Sequence, residues 1–396
     1  MHASALSRAA RLALLFAASG AAIASAQSTP VRPASAGIEW APILEAAEIF
    51  PSIVLMSAGV ESFGAGPRMA FDGERIGDRL SLIGAQVRAS NTIRLRLEID
   101  GARRIAPSVI EAELPAGHTV RMFPRLRYRW DLLRETFEPA DEQITFRLTV
   151  DGIPAGEATR VIRFRSVDEF PLRQTDAVGQ VHDYSWALAG AVNENDPIVD
   201  HVLRESRARS AIADFAGYAH GDREVALQVL TLWAALERLG FRVDSVHQDD
   251  ADVHVVRALQ TPLKRPTLHC VEASILIASV LRRIGLDPVL LLSADHALVG
   301  FYRNASHETV VMLDPRELNR IAGTRTASLA SPAALIARMD KASLLSFEAA
   351  VKAGERAWDA TVAEADPSAA YQLVDIALAR KAGITPARGR FHDLLR

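Results

Sequence analysis

The chain has 396 residues, 49% of them apolar, and a formal net charge of −3. That apolar fraction can bury a large core unaided, and the near-neutral balance lacks the basic footprint of a nucleic-acid-binding protein. A single cysteine, Cys270, excludes an intramolecular disulfide.

Residues 1–26 have the layout of an export signal. Arg8 and Arg11 precede the apolar run Leu12 to Ala18, and Ala24-Ser25-Ala26 supplies small residues for cleavage after Ala26. The run is shorter than the roughly 20 apolar residues of a membrane span, and no later segment reaches that length without a charge. A periplasmic or secreted protein is expected. In such a compartment an unpaired thiol is either buried and inert or kept for its chemistry.

Residues 27–37 read as a flexible lead-in and 38–172 as a β domain. Ile93, Leu95, Leu97 and Ile99 alternate with Arg94, Arg96 and Glu98 up to Asp100-Gly101. Ile144, Phe146, Leu148 and Val150 do the same up to Asp151-Gly152, and residues 161–165 supply a hairpin partner. Period two with Asp-Gly turns predicts an all-β sandwich.

Residues 173–396 read as an α+β domain. Val225, Val229, Trp233 and Leu236 recur at helical spacing between a capping Asp222 and Gly240. A second helix is expected over 269–284, apolar on nearly every side and ended by Gly285, followed by strands at 288–293, 297–302 and 309–313. Ser331-Pro332 opens one further helix, and Asp366-Pro367 with Gly383 brackets another. The whole chain is thus expected to be α+β.

Three stretches carry chemistry: Thr-Leu-His-Cys-Val-Glu-Ala-Ser (267–274), Ser-Ala-Asp-His-Ala-Leu-Val-Gly-Phe-Tyr (293–302) and Val-Met-Leu-Asp-Pro (311–315). Cys270 falls in the first turn of its helix, where the positive end of the helix dipole favours a thiolate. His296 opens a strand and can act as base, and Asp314 ends the next strand, where it can orient the imidazole.

A cysteine opening an apolar helix, a Gly that ends it, a strand, His-Ala in the next strand and Asp-Pro in the one after resemble the transglutaminase-like core of the papain-like cysteine enzymes. The similarity is sharpest over 255–318. More loosely, Asn193 to Pro197, Phe215 to Tyr218 and the 223–240 helix look like the helical lead-in of exported bacterial members that carry an N-terminal β domain. The resemblance implies Cys270 as nucleophile, His296 as base and Asp314 as orienting acid. It also implies an acyl-enzyme formed from a peptide, protein or cell-wall amide, with no metal or organic cofactor. Gln260, the amide side chain in the loop before the helix, is the candidate oxyanion donor.

Plainer readings stand beside these. A lone cysteine on an apolar helix is usually a core residue, and Asp314-Pro315 can be a strand-ending turn. His269 beside Cys270 matches no zinc spacing, and Asp249, Asp250 and Asp252 with His247 and His254 lack the Gly and terminal Glu of a calcium loop. Arg125, Arg127 and Arg129 share a face that reads as solvated. No P-loop, dinucleotide fingerprint, serine elbow or His-Glu-x-x-His occurs. Two classes therefore remain open: a cysteine acyl-transfer enzyme, or a non-catalytic scaffold serving as an envelope binding module.

Overall fold

The computed structural model describes residues 37–320, 341–363 and 372–387, apart from residues 47, 61, 64–65, 73, 176–180, 210–211, 213, 245–251, 258–265 and 293–295. The expected export signal, nearly all of the lead-in, His247, Asp249, Asp250, Gln260, Ser331-Pro332 and Asp366-Pro367 lie outside the described residues. The chain is of mixed α and β structure and divides into two units. One ends at Glu169 and takes up Arg173–Asp183 again, and the other takes Phe170–Leu172 and runs on from Tyr184.

In the first unit the strands of the two main sheets are β1 (Ile38–Leu44), β2 (Glu48–Ile49), β3 (Met69–Asp72), β4 (Arg75–Asp78), β5 (Ile83–Ala89), β6 (Ile93–Asp100), β7 (Ser108–Leu114), β8 (Thr119–Phe123), β9 (Ala140–Val150) and β10 (Ile153–Phe164). They form two five-stranded sheets, in the orders β1-β5-β8-β4-β3 and β7-β6-β9-β10-β2. The alternating residues face inward as expected: Leu95, Leu97 and Ile99 on β6, and Ile144 and Phe146 on β9, are fully buried. Two contacts bring the sheets' inner faces together. Ile110 of β7 lies over Gly77 of β4, and the Trp40 indole of β1 lies over Gly156 of β10. The Asp151-Gly152 turn joins β9 to β10 with positive φ at both residues (51° and 81°), the requirement of a tight type I′ hairpin.

This unit is not purely β. Short helices at Pro51–Met56 and Trp130–Arg134 interrupt the strands, and β8–β4 and β10–β2 pair in parallel. Arg125, Arg127 and Arg129 are exposed, although only Arg127–Tyr128 is paired as a strand.

The second unit is built on α1 (Pro197–Arg209), α2 (Asp222–Arg238), α3 (Cys270–Arg283), α4 (Lys341–Ala363) and α5 (Ile376–Lys381). A four-stranded antiparallel sheet accompanies them: β11 (Pro288–Leu292), β12 (Ala297–Tyr302), β13 (Val310–Leu313) and β14 (Gln372–Asp375), in the order β13-β12-β11-β14. Every residue of α3 from Val271 to Leu281 is buried, so this helix forms the centre of the unit. Gly240 and Gly285, both at φ 82°, end α2 and α3 in the left-handed conformation that glycine adopts without strain.

Two sequence expectations need correction. Gly221, not Asp222, stands at the N-cap of α2, and Asp222 is its first residue, where a carboxylate still complements the positive helix end. The stretch before Gly383 is not one helix: residues 372–375 form β14, which pairs Leu373 with Leu291 and Val374 with Leu290. Covering the open edge of β11 and burying Val374 outweigh local helical preference. Asp375 then caps α5 by accepting the Leu378 N–H (2.8 Å).

The opposite edge of the sheet is held by a helix. The Asp314 N–H, just past β13, donates to the Ala350 carbonyl of α4 (3.0 Å). This approach depends on Gly354, because a Cβ there would lie 2.3 Å from the Met312 carbonyl oxygen. Gly-to-Ala in a helix interior ordinarily stabilises by about 1 kcal/mol. Here Gly354→Ala is expected to do the reverse, costing about 1–3 kcal/mol through overpacking, read as a lowered thermal midpoint. An unchanged or raised midpoint would contradict this packing.

Candidate active site

Helix α3 begins at Cys270. His269 stands at its N-cap in extended conformation (φ −76°, ψ 160°), and its backbone N–H donates to Glu272 Oε2 (3.1 Å). This Glu272 carboxylate is buried (2% exposed) and takes three further donors from Arg257: the backbone N–H (3.2 Å), Nε (2.7 Å) and Nη2. Arg257 Nη2 also reaches the Thr267 carbonyl (3.1 Å). One buried acid therefore ties residues 257, 267 and 269 to the first turn that carries the sulfur. Burial alone would raise the Glu272 pKa, but the Arg257 guanidinium and the His269 N–H outweigh it and hold the group ionised. Cys270 itself is partly exposed.

A second bond sets the helix against the sheet. Ser274, one turn beyond Cys270, donates its hydroxyl to the Ala297 carbonyl (3.2 Å), and both residues are buried. Ala297 follows His296, so the bond fixes the distance between the cysteine turn and the histidine. His296 Nε2 lies 3.1 Å from Asp314 Oδ1. The Cys270 side chain also acts on this imidazole, through a side-chain hydrogen bond that favours its charged form. The three residues named from sequence are thus brought together, from a helix start, a strand start and a strand end.

The electrostatics favour an imidazolium. Burial opposes the charge on His296, but the Asp314 hydrogen bond, the Cys270 hydrogen bond and the Asp314 charge outweigh it. The pKa rises from its ordinary 6.5 to about 9, with Arg316 pulling slightly the other way. For Asp314 burial is likewise the largest influence and is overcome by His296 and Arg316, which hold the carboxyl well below its usual range. A cation beside sulfur is the electrostatic partner a thiolate needs, and the positive end of the α3 dipole adds to it.

Gln260, the candidate oxyanion donor, lies outside the described residues. Glu272, Ser274 and Arg316 were not singled out from sequence. The His269-x-x-Glu272 spacing of a capping box could have pointed to Glu272. Nothing local signals the partner of Ser274. Among the described residues, no group of three or more His, Cys, Asp or Glu is placed to hold a metal ion. Among them, too, no helix is long and apolar enough to cross a membrane. No family model matches this sequence, and no curated protein matches it.

Ser274→Ala should lower stability by about 1 kcal/mol, the net worth of a buried hydrogen bond plus an unpaired carbonyl, measurable by urea unfolding. The pH dependence follows from the raised His296 pKa. A group whose folded pKa exceeds its unfolded value stabilises fully below the unfolded value and loses that contribution as pH rises through the folded one. The difference in thermal midpoint between wild type and His296→Gln should therefore be largest below 6.5 and shrink between 6.5 and about 9. A difference that grows over that interval would contradict the assignment.

Proposed function

We propose that the chain is an exported, cysteine-dependent acyl-transfer enzyme of peptidase or amidase type, in which a transglutaminase-like domain follows a β-sandwich. The observation that carries this reading is the chain of contacts from thiol to imidazole to carboxylate, with the sulfur at a helix start. The Cys270 thiolate attacks an amide carbonyl, and the oxygen takes up the charge opposite the first-turn amides of α3. Collapse of that intermediate breaks the C–N bond while the His296 imidazolium gives its proton to the departing amine, leaving a thioester on Cys270. His296, now neutral, takes a proton from water, the hydroxide attacks the thioester, and the product leaves as a carboxylic acid, which gives its proton to solvent, as the sulfur regains its charge. Asp314 holds the Nε2 proton throughout, so that Nδ1 remains the working nitrogen.

The substrate class is a peptide, protein or cell-wall amide. Peptides of these types, incubated with the purified protein, should release amine and show a transient mass adduct on Cys270. Cys270→Ala should abolish the adduct and lower turnover by about 10³-fold or more while leaving the fold intact. Retained turnover in that variant ends the mechanism. The rate of native-state labelling by iodoacetamide at neutral pH separates this reading from a non-catalytic scaffold, because a partly exposed thiolate reacts fast whereas an equally exposed neutral thiol reacts slowly.

A further inference from the structure

The Asp314 carboxylate accepts more hydrogen bonds than its contact with His296 needs. Oδ1 takes the Arg316 backbone N–H (2.9 Å) and Arg316 Nε (3.1 Å) besides the imidazole. Oδ2 is met by Arg316 Nε (3.1 Å) and Nη2 (2.8 Å). The local backbone turn and the histidine therefore pin one oxygen only. An aspartate carboxylate rotates about a soft, roughly two-fold torsion, so its plane could swing away from the imidazole with Oδ1 alone held. The two-pronged contact from Arg316 restrains Oδ2 and removes that freedom.

The fork is built locally, across the Pro315–Glu317 turn. Half of the Arg316 side chain is exposed (52%), on the wall of an open groove. Charges balance there: Arg316, Arg320 and Arg356 stand against Asp244, Asp314 and Glu317. We propose that Arg316 is a positioning residue of the triad, setting the plane of the Asp314 carboxylate and through it the aim of His296 at Cys270. The inference rests on the triad reading above.

Among the described residues, the ionisable groups that most affect His296 are Cys270 from α3, Asp314 just past β13 and Arg316 beyond it. Arg316 acts on the imidazolium in two opposite senses. Its charge disfavours a second cation nearby, whereas its fork secures the carboxylate that favours one. Removing the side chain therefore separates the two by sign. Ring resonances of His296, assigned by their loss in His296→Gln, can be titrated by NMR in wild type, Arg316→Ala and Arg316→Lys.

Positioning predicts that the midpoint falls by about one pH unit in Arg316→Ala, a tenfold change in the imidazolium equilibrium. It also predicts a similar fall in Arg316→Lys, which keeps the charge but not the fork. A midpoint that rises or stays put in the alanine variant overturns the proposal, as does a lysine variant that titrates like wild type. This readout requires no turnover. A protein that cleaves no amide would sink the enzymatic reading while leaving the Arg316 result interpretable, and the converse failure would leave amide cleavage standing.

Discussion

Cys270 opens a helix and His296 immediately precedes a strand, and apolar packing between such elements carries no fixed register because the hydrophobic effect is non-directional. The buried bond from the Ser274 hydroxyl to the Ala297 carbonyl supplies the direction. It places the cysteine turn of α3 against the first residue of β12, one position from the histidine. The third member of the site depends on an equally specific approach. Helix α4 can accept the Asp314 N–H at Ala350 only because Gly354 lets the helix lie directly on the β13 backbone. One side-chain hydroxyl and one backbone N–H, each buried, thus fix two separate contacts that hold the site's segments.

Electrostatics then determine what that arrangement can do. Two carboxylates are buried around the sulfur and the imidazole, and each has an arginine: Arg257 for Glu272 and Arg316 for Asp314. Burying an ionised acid alone is costly, so removing Arg257 would leave Glu272 uncompensated, whereas Asp314 without Arg316 would keep only the His296 imidazolium as counter-charge. The first pair has a further consequence. Glu272 sits two residues from Cys270, and an unpaired anion there would oppose a thiolate, whereas the Arg257 contact offsets its field. Asp314 acts in the other direction, holding His296 positive at neutral pH with a pKa of about 9.

Elements with strong periodicity were legible from residue order. The alternating runs at 93–99 and 144–150 became β6 and β9, and the helix between His269 and Gly285 starts at Cys270 as its neighbours suggest. Local propensity misled where partners were remote. Residues 372–375 form a strand because the edge of β11 needs one, and that edge is some eighty residues away in the chain. The roles of Ser274 and Gly354 were illegible for the same reason, since a buried hydroxyl or a missing Cβ has meaning only beside the backbone it meets. Arg316 was hidden differently: an exposed arginine after a turn looks like any solvated residue until its fork is seen on Asp314.

The sequence by itself determined the chemical inventory and its order: one thiol at a helix start, then a histidine opening a strand, then an aspartate closing the next. Those follow from spacing and from where apolar runs begin and stop, which are properties of neighbours along the chain. Only the tertiary structure decided that His296 and Asp314 lie 3.1 Å apart and that the imidazole also meets the sulfur. It alone decided, too, that both buried acids are held by arginines. Distances of that kind arise from contacts between segments far apart in sequence, where a single hydroxyl, a single glycine or a single fork sets the outcome.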